Sequence, residues 1–154
     1  TGGHSMFDKF TQHWRSLLNV DKITQEEFRR ATFVQHYRTL SEFKAPFDSQ
    51  DTPVMKAGLR LKSARTQLTQ CPYQMAFREA DGAMSASQYA NSLIPTMRSW
   101  SETVFLSALS SRPPAEAQAI VDEFYQSYEA EVAANPEGHA MDYIHAIMVI
   151  EKVT

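Results

Sequence analysis

The residues best placed to do metal chemistry lie near the end of this 154-residue chain. His139, Asp142 and His145 are three residues apart, and imidazole and carboxylate groups are common metal ligands. They fall at the start of a segment with strand-like alternation, in which residues three apart point to opposite faces. We therefore expect a surface loop histidine at 139 and a hydrogen-bonded strand histidine at 145, and no metal site.

Other catalytic and binding motifs are missing from the sequence. There is no nucleophile elbow, phosphate-cradling loop or zinc-type cysteine pair. The single cysteine, Cys71, cannot form an internal disulfide, which favours a reducing, cytoplasmic location. No apolar run approaches the ~20 residues of a membrane span, so we expect a soluble chain with no membrane partner. The net charge of −3 argues against a nucleic-acid partner.

Charges of opposite sign are concentrated in different parts of the chain. No lysine or arginine occurs between Arg112 and Lys152, whereas basic residues are frequent between Arg29 and Arg65. Two solvated faces of opposite sign are the simplest interpretation. An acidic partner that docks on the basic half is the alternative.

The last stretch, Met141 to Val153, is apolar on both of its alternating faces. Such a run is typical of a strand in the interior of a sheet, covered by helices on both sides. The preceding sequence supplies few partner strands, which suggests a chain that ends a larger α/β sheet. For the same reason we expect a homodimer with this strand at or near its interface.

Helix-start signals precede most of the remaining elements. An amphipathic pattern predicts an opening helix that ends near Asn19, and Pro95 is expected to kink a long helix or to mark its true start. Period-two alternation predicts a strand from Leu59 that continues weakly to Tyr73. Further signals are the capping boxes Thr24/Glu27, Thr39/Glu42 and Ser85/Gln88, the proline starts Pro53 and Pro113-Pro114, and Gly58 as a left-handed helix end.

The order of these segments resembles the C-terminal half of the SABATH-type carboxyl methyltransferases, a group of S-adenosylmethionine-dependent enzymes that act on salicylic acid, benzoic acid and related acceptors. The resemblance spans Met6 to Val153. It is carried by four segments: Ile23-Thr24-Gln25-Glu26-Glu27-Phe28 with Phe33 to Phe43, similar to the family's cap; Gly58-Leu59, similar to the start of its sixth strand; Met97-Arg98-Ser99-Trp100-Ser101-Glu102, similar to a helix with a Met-Arg-x-x-x-Glu stretch; and Met141 to Lys152, similar to its antiparallel seventh strand.

This resemblance implies an apolar, aromatic-lined acceptor pocket shared between cap and core. The substrate-binding residues it implies are Phe7 (or Met6), Tyr37, Met97, Trp100 and Tyr143. From pattern alone, the shared helical face of Met97 and Trp100 favours a core role for both, so the two interpretations stay open. The resemblance implies no catalytic and no metal-binding residue in this chain.

The family's cofactor-binding half is missing from this sequence. It would hold the glycine-rich loop, the acidic residue for the ribose hydroxyls and the donors to the acceptor carboxylate. We therefore expect this chain alone to be inactive and to bind no S-adenosylmethionine, because methyl transfer depends on positioning acceptor and methyl carbon together. The implied function is acceptor recognition within a methyltransferase for a small molecule such as a carboxylic acid. The alternative is a stand-alone, non-enzymatic small-molecule-binding or dimerisation module.

The predicted fold is an α+β fragment of a class I, Rossmann-like methyltransferase. It is mainly helical, with two or three β-strands and an antiparallel terminal strand. We expect residues 1–5 to be a cloning remnant, residues 6–57 a helical cap, and residues 58–154 the C-terminal core strands and helices.

Overall fold

The computed structural model describes residues 6–153; residues 1–5, the predicted cloning remnant, and Thr154 lie outside the described part. The described residues form a mainly helical α+β structure with seven α-helices and a two-stranded antiparallel sheet. The elements are α1 (Met6–Asn19), α2 (Gln25–Arg30), α3 (Leu40–Lys44), α4 (Pro53–Lys56), β1 (Leu59–Thr69), α5 (Pro72–Glu79), α6 (Ala86–Ala108), α7 (Pro114–Ala134) and β2 (Tyr143–Lys152), with 3₁₀ helices at Ala45–Phe47 and Pro136–Gly138.

The chain divides into two compact units, each built from two stretches of sequence. The helical unit comprises residues 6–33 and 71–141 and contains α1, α2, α5, α6 and α7. The sheet unit comprises residues 34–70 and 142–153 and contains α3, α4 and both strands. The predicted cap, residues 6–57, contributes to both. Among the described residues, no helix combines the length and the apolar character that a membrane crossing requires.

All three predicted capping boxes are confirmed. At α2, the Thr24 hydroxyl accepts from the Glu27 amide at 3.2 Å, and the Glu27 carboxylate accepts from the Thr24 amide at 2.7 Å. The same reciprocal pair occurs at α3 and α6. Each box satisfies amides that the first helical turn leaves without partners, so these short local signals fix where the helices begin.

Helices α6 and α7 pack along each other, and α1 packs against α7 to complete the core of the helical unit. Burial of each large apolar side chain contributes roughly 1.5–3 kcal/mol to this packing. Pro95 lies inside α6 and does not mark its start. The largest fully buried side chains include Phe10, Trp14, Tyr89, Leu93, Met97, Phe105, Phe124 and Tyr128.

The Met-Arg-x-x-x-Glu stretch of α6 forms an ion-pair network with α7. The Arg98 guanidinium lies 2.5 Å from both the Glu102 and the Asp122 carboxylates. Gln118 donates to the same two carboxylates. The hydrogen bonds from Arg98 and from Gln118, together with the Arg98 charge, lower the pKa of Glu102 and of Asp122. In this chain the Met-Arg-x-x-x-Glu stretch therefore links α6 to α7 through side-chain ion pairs and hydrogen bonds.

In the sheet unit, β1 and β2 pair antiparallel, which confirms the predicted orientation of the terminal strand. Leu61 faces Ile150 and Ser63 faces Val149, so Lys62 forms a bulge. Both faces of β2 were expected to be covered, yet Ile144 is 76% and Val149 is 54% exposed. The difference arises because the faces of a strand are covered by packed helices, and among the described residues the extensive contacts of β2 are with β1 alone, whereas α3 and α4 pack against β1.

The predicted end of β1 is wrong. Alternation suggested an extended segment as far as Tyr73, but β1 ends at Thr69 and Pro72 begins α5. Proline is favoured at the first position of a helix, where its missing amide has no intrahelical partner. The Pro72 signal therefore outweighed the weak alternation before it.

Candidate functional site

A cavity of about 220 Å³ lies beside α1 and α2 in the helical unit; we call it the α1–α2 pocket. The lining residues that are buried or half-buried are mostly aromatic, and the exposed ones are two threonines and two arginines. Apolar depth with a few polar groups at the rim is the usual construction of a small-molecule site. The lining residues are Phe10, Thr11, Trp14, Arg15, Phe28, Arg29, Ala31, Thr32, Phe33 and Phe105.

A cluster of rings centred on Phe10 forms the floor of the pocket. The Phe10 ring centroid lies 5.6 Å from that of Phe33 and 5.7 Å from that of Phe105. Phe7 and Trp100 extend the cluster, with their centroids 6.2 Å apart. The rings pack in stacked, tilted and edge-on geometries, which stabilise the floor of the pocket.

The charge at the pocket is positive. Arg15 lies over the Phe28 ring at 4.7 Å from its centroid. Within residues 6–153, the guanidinium of Arg29 makes no ion pair, and no pocket-lining residue is acidic. Arg15 and Arg29 are the charged residues of the lining, so an anion bound here meets no competing carboxylate on it. Guanidinium groups recognise carboxylates in particular, because their parallel N–H donors match the two oxygens.

Trp14 adds an unsatisfied donor at the pocket wall. Its ring is 2% exposed, and its Nε1 is the one buried side-chain polar atom without a hydrogen-bond partner among the described residues. Buried donors nearly always have partners, so this N–H requires an explanation. A bound ligand or water with an acceptor near the indole would satisfy it.

Buried Glu27 fixes the wall of the pocket that α2 provides. Its carboxylate accepts from Arg112, Nε to Oε1 at 2.6 Å and Nη2 to Oε2 at 2.8 Å, while also capping α2 at Thr24. The hydrogen bonds from Arg112 lower the pKa of Glu27 to about 2, against the opposing effect of burial. The pair connects α2 to the turn before α7 and so holds Phe28 and Arg29 beside α1.

A second polar cluster, which we call the Glu131 cluster, lies between α1 and α7. His13 Nε2 is 2.5 Å from a Glu131 oxygen, and its Nδ1 is 3.0 Å from the Ser127 hydroxyl. Lys9 also binds Glu131, and His139 Nε2 lies 3.6 Å from the same carboxylate. Burial lowers the pKa of both histidines. Burial acts to raise the pKa of Glu131, but the hydrogen bonds from Lys9 and His13 outweigh it and leave that pKa lowered.

The two histidines of the candidate metal motif, His139 and His145, lie in different surroundings. His139 is 4% exposed and contacts Tyr128, so the expectation of a surface loop histidine is wrong. It is buried because its carbonyl accepts from Tyr89 and Gln74, which draws the loop into the helical unit. His145 hydrogen-bonds Thr69 at 3.0 Å across the sheet, as expected of a strand histidine. Among the described residues, no three His, Cys, Asp or Glu side chains are arranged so that they could hold a metal ion.

The five residues implied by the resemblance fall in different surroundings. Phe7 and Trp100 meet in the ring cluster that floors the α1–α2 pocket, although neither is on its lining. Met97 is 0% exposed within the helical core. Tyr37 and Tyr143 belong to the sheet unit and are 76% and 46% exposed. A common acceptor site for all five stays a prediction.

The sequence signals for the pocket itself were indirect. Phe10 and Trp14 stood on the apolar stripe of α1, which predicted a core helix but no cavity. Arg29 appeared only as part of the basic half of the chain, and Arg15 was not singled out. Their approach to one pocket depends on the packing of α2 against α1, which no local pattern encodes.

The pocket does not suit S-adenosylmethionine. Its lining contains no carboxylate to accept the ribose hydroxyls, and its charged residues, Arg15 and Arg29, carry the same sign as the sulfonium. A broader groove of about 550 Å³ beside α6, lined by Ala80, Ala83, Met84, Gln88, Asn91 and Ser92, likewise has no acidic side chain. Neither of these two linings therefore supplies an acidic side chain for a ribose.

No protein-family model matches this chain, and no curated protein matches it in sequence.

Proposed function

We propose that the helical unit binds a small aromatic acid in the α1–α2 pocket, as the acceptor-recognition part of an S-adenosylmethionine-dependent methyltransferase. The observation that carries the proposal is an aromatic pocket whose lining holds two arginines and no acidic residue. The methyltransferase context rests on the resemblance of the whole chain to the SABATH-type enzymes. The proposal includes two further parts of such an enzyme, a class I sheet and a cofactor-binding half.

Size and charge together support a single-ring carboxylate. An apolar cavity of about 150 Å³ holds a benzene-sized molecule, and the pocket offers about 220 Å³. The ring would lie against Phe10, Phe33 and Phe105, with the carboxylate directed toward the arginines. In this arrangement the helical unit positions an acceptor oxygen, and it supplies neither the methyl group nor a base.

The test uses benzoate with benzamide as its uncharged match, in a titration of tryptophan fluorescence and of amide NMR shifts. We expect benzoate to shift the amide NMR signals of the pocket residues in a saturable way. Benzamide should bind at least about tenfold more weakly, since a hydrogen bond to a charged group contributes roughly 1.5–3 kcal/mol. Arg29→Gln should lose most of that discrimination. Arg30→Gln, one position away on the same helix, is the control. Equal binding of the acid and the amide would overturn the proposal.

A pocket-filling variant tests the location independently of charge. Ala31→Leu places three carbon atoms at the pocket lining and should abolish benzoate binding. Ala83→Leu, in the groove beside α6, should leave it unchanged. Benzoate binding that survives Ala31→Leu would place the ligand elsewhere on the chain.

The second candidate is a dimerisation module, which the sheet unit supports. Large apolar side chains on both faces of the strands are exposed, including Leu68, Tyr143, Ile144, Val149 and Ile150. Exposed apolar patches beyond a few hundred Å² usually mark interaction sites. Light scattering at micromolar concentration tests the expected homodimer. Ile144→Lys should shift a dimer to monomer, whereas a wild-type monomer that remains folded would contradict this candidate.

A further inference from the structure

One exposed serine differs in its hydrogen bonding from those at comparable helical positions. Ser16, Ser92 and Ser99 are exposed on long helices, and each hydroxyl donates to a backbone carbonyl of the preceding turn, at 3.1, 3.0 and 2.7 Å. Ser127 is also exposed, on α7, but its hydroxyl lies 3.0 Å from Nδ1 of His13 on α1. Ser127 is therefore paired with a potential base in place of the backbone.

The Glu131 cluster fixes which nitrogen of His13 is available. An ionised carboxylate only accepts hydrogen bonds, so the 2.5 Å contact with Glu131 requires the proton on Nε2. The other nitrogen, Nδ1, then carries the lone pair and accepts from Ser127 O–H. Burial keeps the pKa of His13 below its ordinary value, which favours the neutral, basic ring.

This arrangement contains the three parts of an activated nucleophile: a hydroxyl, a base within hydrogen-bond reach, and a third group that orients the base. Lys9 and His139 contact the Glu131 carboxylate, and Lys9 keeps it ionised through its charge and hydrogen bond. The rings of Phe124 and Tyr128 hold the imidazole, with centroids 6.4 and 5.0 Å away. The base is thus positioned by packing as well as by charge.

We propose that Ser127 is a reactive serine that accepts an acyl group from activated esters, with His13 as its base and Glu131 as the positioning residue. The Oγ attacks the acyl carbonyl while its proton passes to Nδ1 of His13. The tetrahedral intermediate then collapses, the bond to the leaving alcohol breaks, and that alcohol takes the proton from His13. The products are an ester of Ser127 and the free alcohol. This goes beyond acceptor binding and does not depend on it.

The test is site-resolved acylation of the full chain by p-nitrophenyl acetate, followed by peptide mapping. We expect Ser127 to be acetylated at least about tenfold faster than Ser16, Ser92 and Ser99, since a positioned base contributes about 10²-fold or more. The three other serines are internal controls for exposure. Equal acetylation at all four sites would show that the cluster is only a structural ion pair and would overturn the proposal.

Two variants separate reactivity from folding. Glu131→Gln keeps the shape of the side chain but removes the charge that selects the His13 tautomer, so Ser127 acetylation should fall to the level of the control serines. Glu129→Gln, on the same helix, should change nothing. The ¹⁵N shifts of His13 should report a single Nε2–H tautomer in the wild type and a mixture in Glu131→Gln. Unchanged Ser127 acetylation in a folded Glu131→Gln protein would exclude the role given to Glu131, and unchanged acetylation in His13→Gln would exclude the base.

Discussion

The buried pair between Glu27 and Arg112 gives the sharpest test of how the helical unit is held together. The Glu27 side chain is 6% and the Arg112 side chain 21% exposed, and two hydrogen bonds of 2.6 and 2.8 Å join them. Replacing Arg112 by Met leaves a carboxylate with little access to water. Loss of one partner of a buried pair costs about 3–5 kcal/mol, and we expect the low end because Thr24 still donates to Glu27.

The pKa of Glu27 gives the same magnitude by a separate route. The hydrogen bonds from Arg112, with smaller contributions from those of Thr24, lower it from 4.5 to about 2 against the opposing effect of burial. At about 1.4 kcal/mol for each tenfold change in proton affinity, this corresponds to about 3 kcal/mol of stability at neutral pH. The folded pKa lies below the unfolded one, so this contribution is complete above pH 4.5 and is lost as the pH falls toward 2.

Urea unfolding followed by circular dichroism measures the effect. We expect Arg112→Met to lose about 3 kcal/mol at pH 7 and to show a weaker decline in stability below pH 4.5 than the wild type. Arg30→Met, which removes an exposed pair with Glu26 at 3.2 Å, is the control and should cost at most about 0.5 kcal/mol. If the two variants lose equal stability, the buried pair does not hold α2 in place and the reasoning fails.

Three further predictions concern the core, a turn and the cofactor. Phe124→Ala should destabilise the helical unit by about 3–5 kcal/mol, whereas Val20→Ala, at a side chain 63% exposed, should change it by less than about 0.5 kcal/mol in the same urea assay. Gly58→Ala should destabilise more than Gly82→Ala in thermal unfolding: both glycines have positive φ, but an added Cβ at Gly58 meets the Val153 carbonyl at 2.5 Å and one at Gly82 meets nothing within 4 Å. Calorimetry with S-adenosylmethionine should show no binding, and a saturable one-to-one isotherm in the micromolar range would contradict the acceptor-half proposal.

Sequence reasoning succeeded where the cause is local. Thr24 and Glu27 satisfy each other's amides within a single turn, so the capping box could be recognised without knowledge of the fold. The strand character of residues 143–152 is likewise encoded in its alternation. The end of β1 was missed because Pro72 fits either a strand end or a helix start, and only the packed helix α5 decides between them.

The candidate sites could not be predicted because they join residues far apart in the chain. His13 and Glu131 are separated by 118 positions, and Arg112 and Glu27 by 85. Each residue taken alone has an ordinary surface interpretation. The burial of His139 could not be predicted for the same reason. It follows from hydrogen bonds that the His139 carbonyl accepts from Tyr89 and Gln74, which are distant in sequence.

Helix α1 separates the two proposed sites physically. Successive helical residues are rotated by about 100°, so Thr11 and Arg15, on the pocket side, point almost opposite to Lys9 and His13, which face the Glu131 cluster. Sites on opposite faces that share no polar partner should respond independently to substitution. Arg29→Gln should therefore weaken benzoate binding without changing Ser127 acetylation, and Ser127→Ala should do the reverse. A variant of one site that alters both would mean that α1 moves as a whole, in which case the pocket and the reactive serine are coupled through that helix.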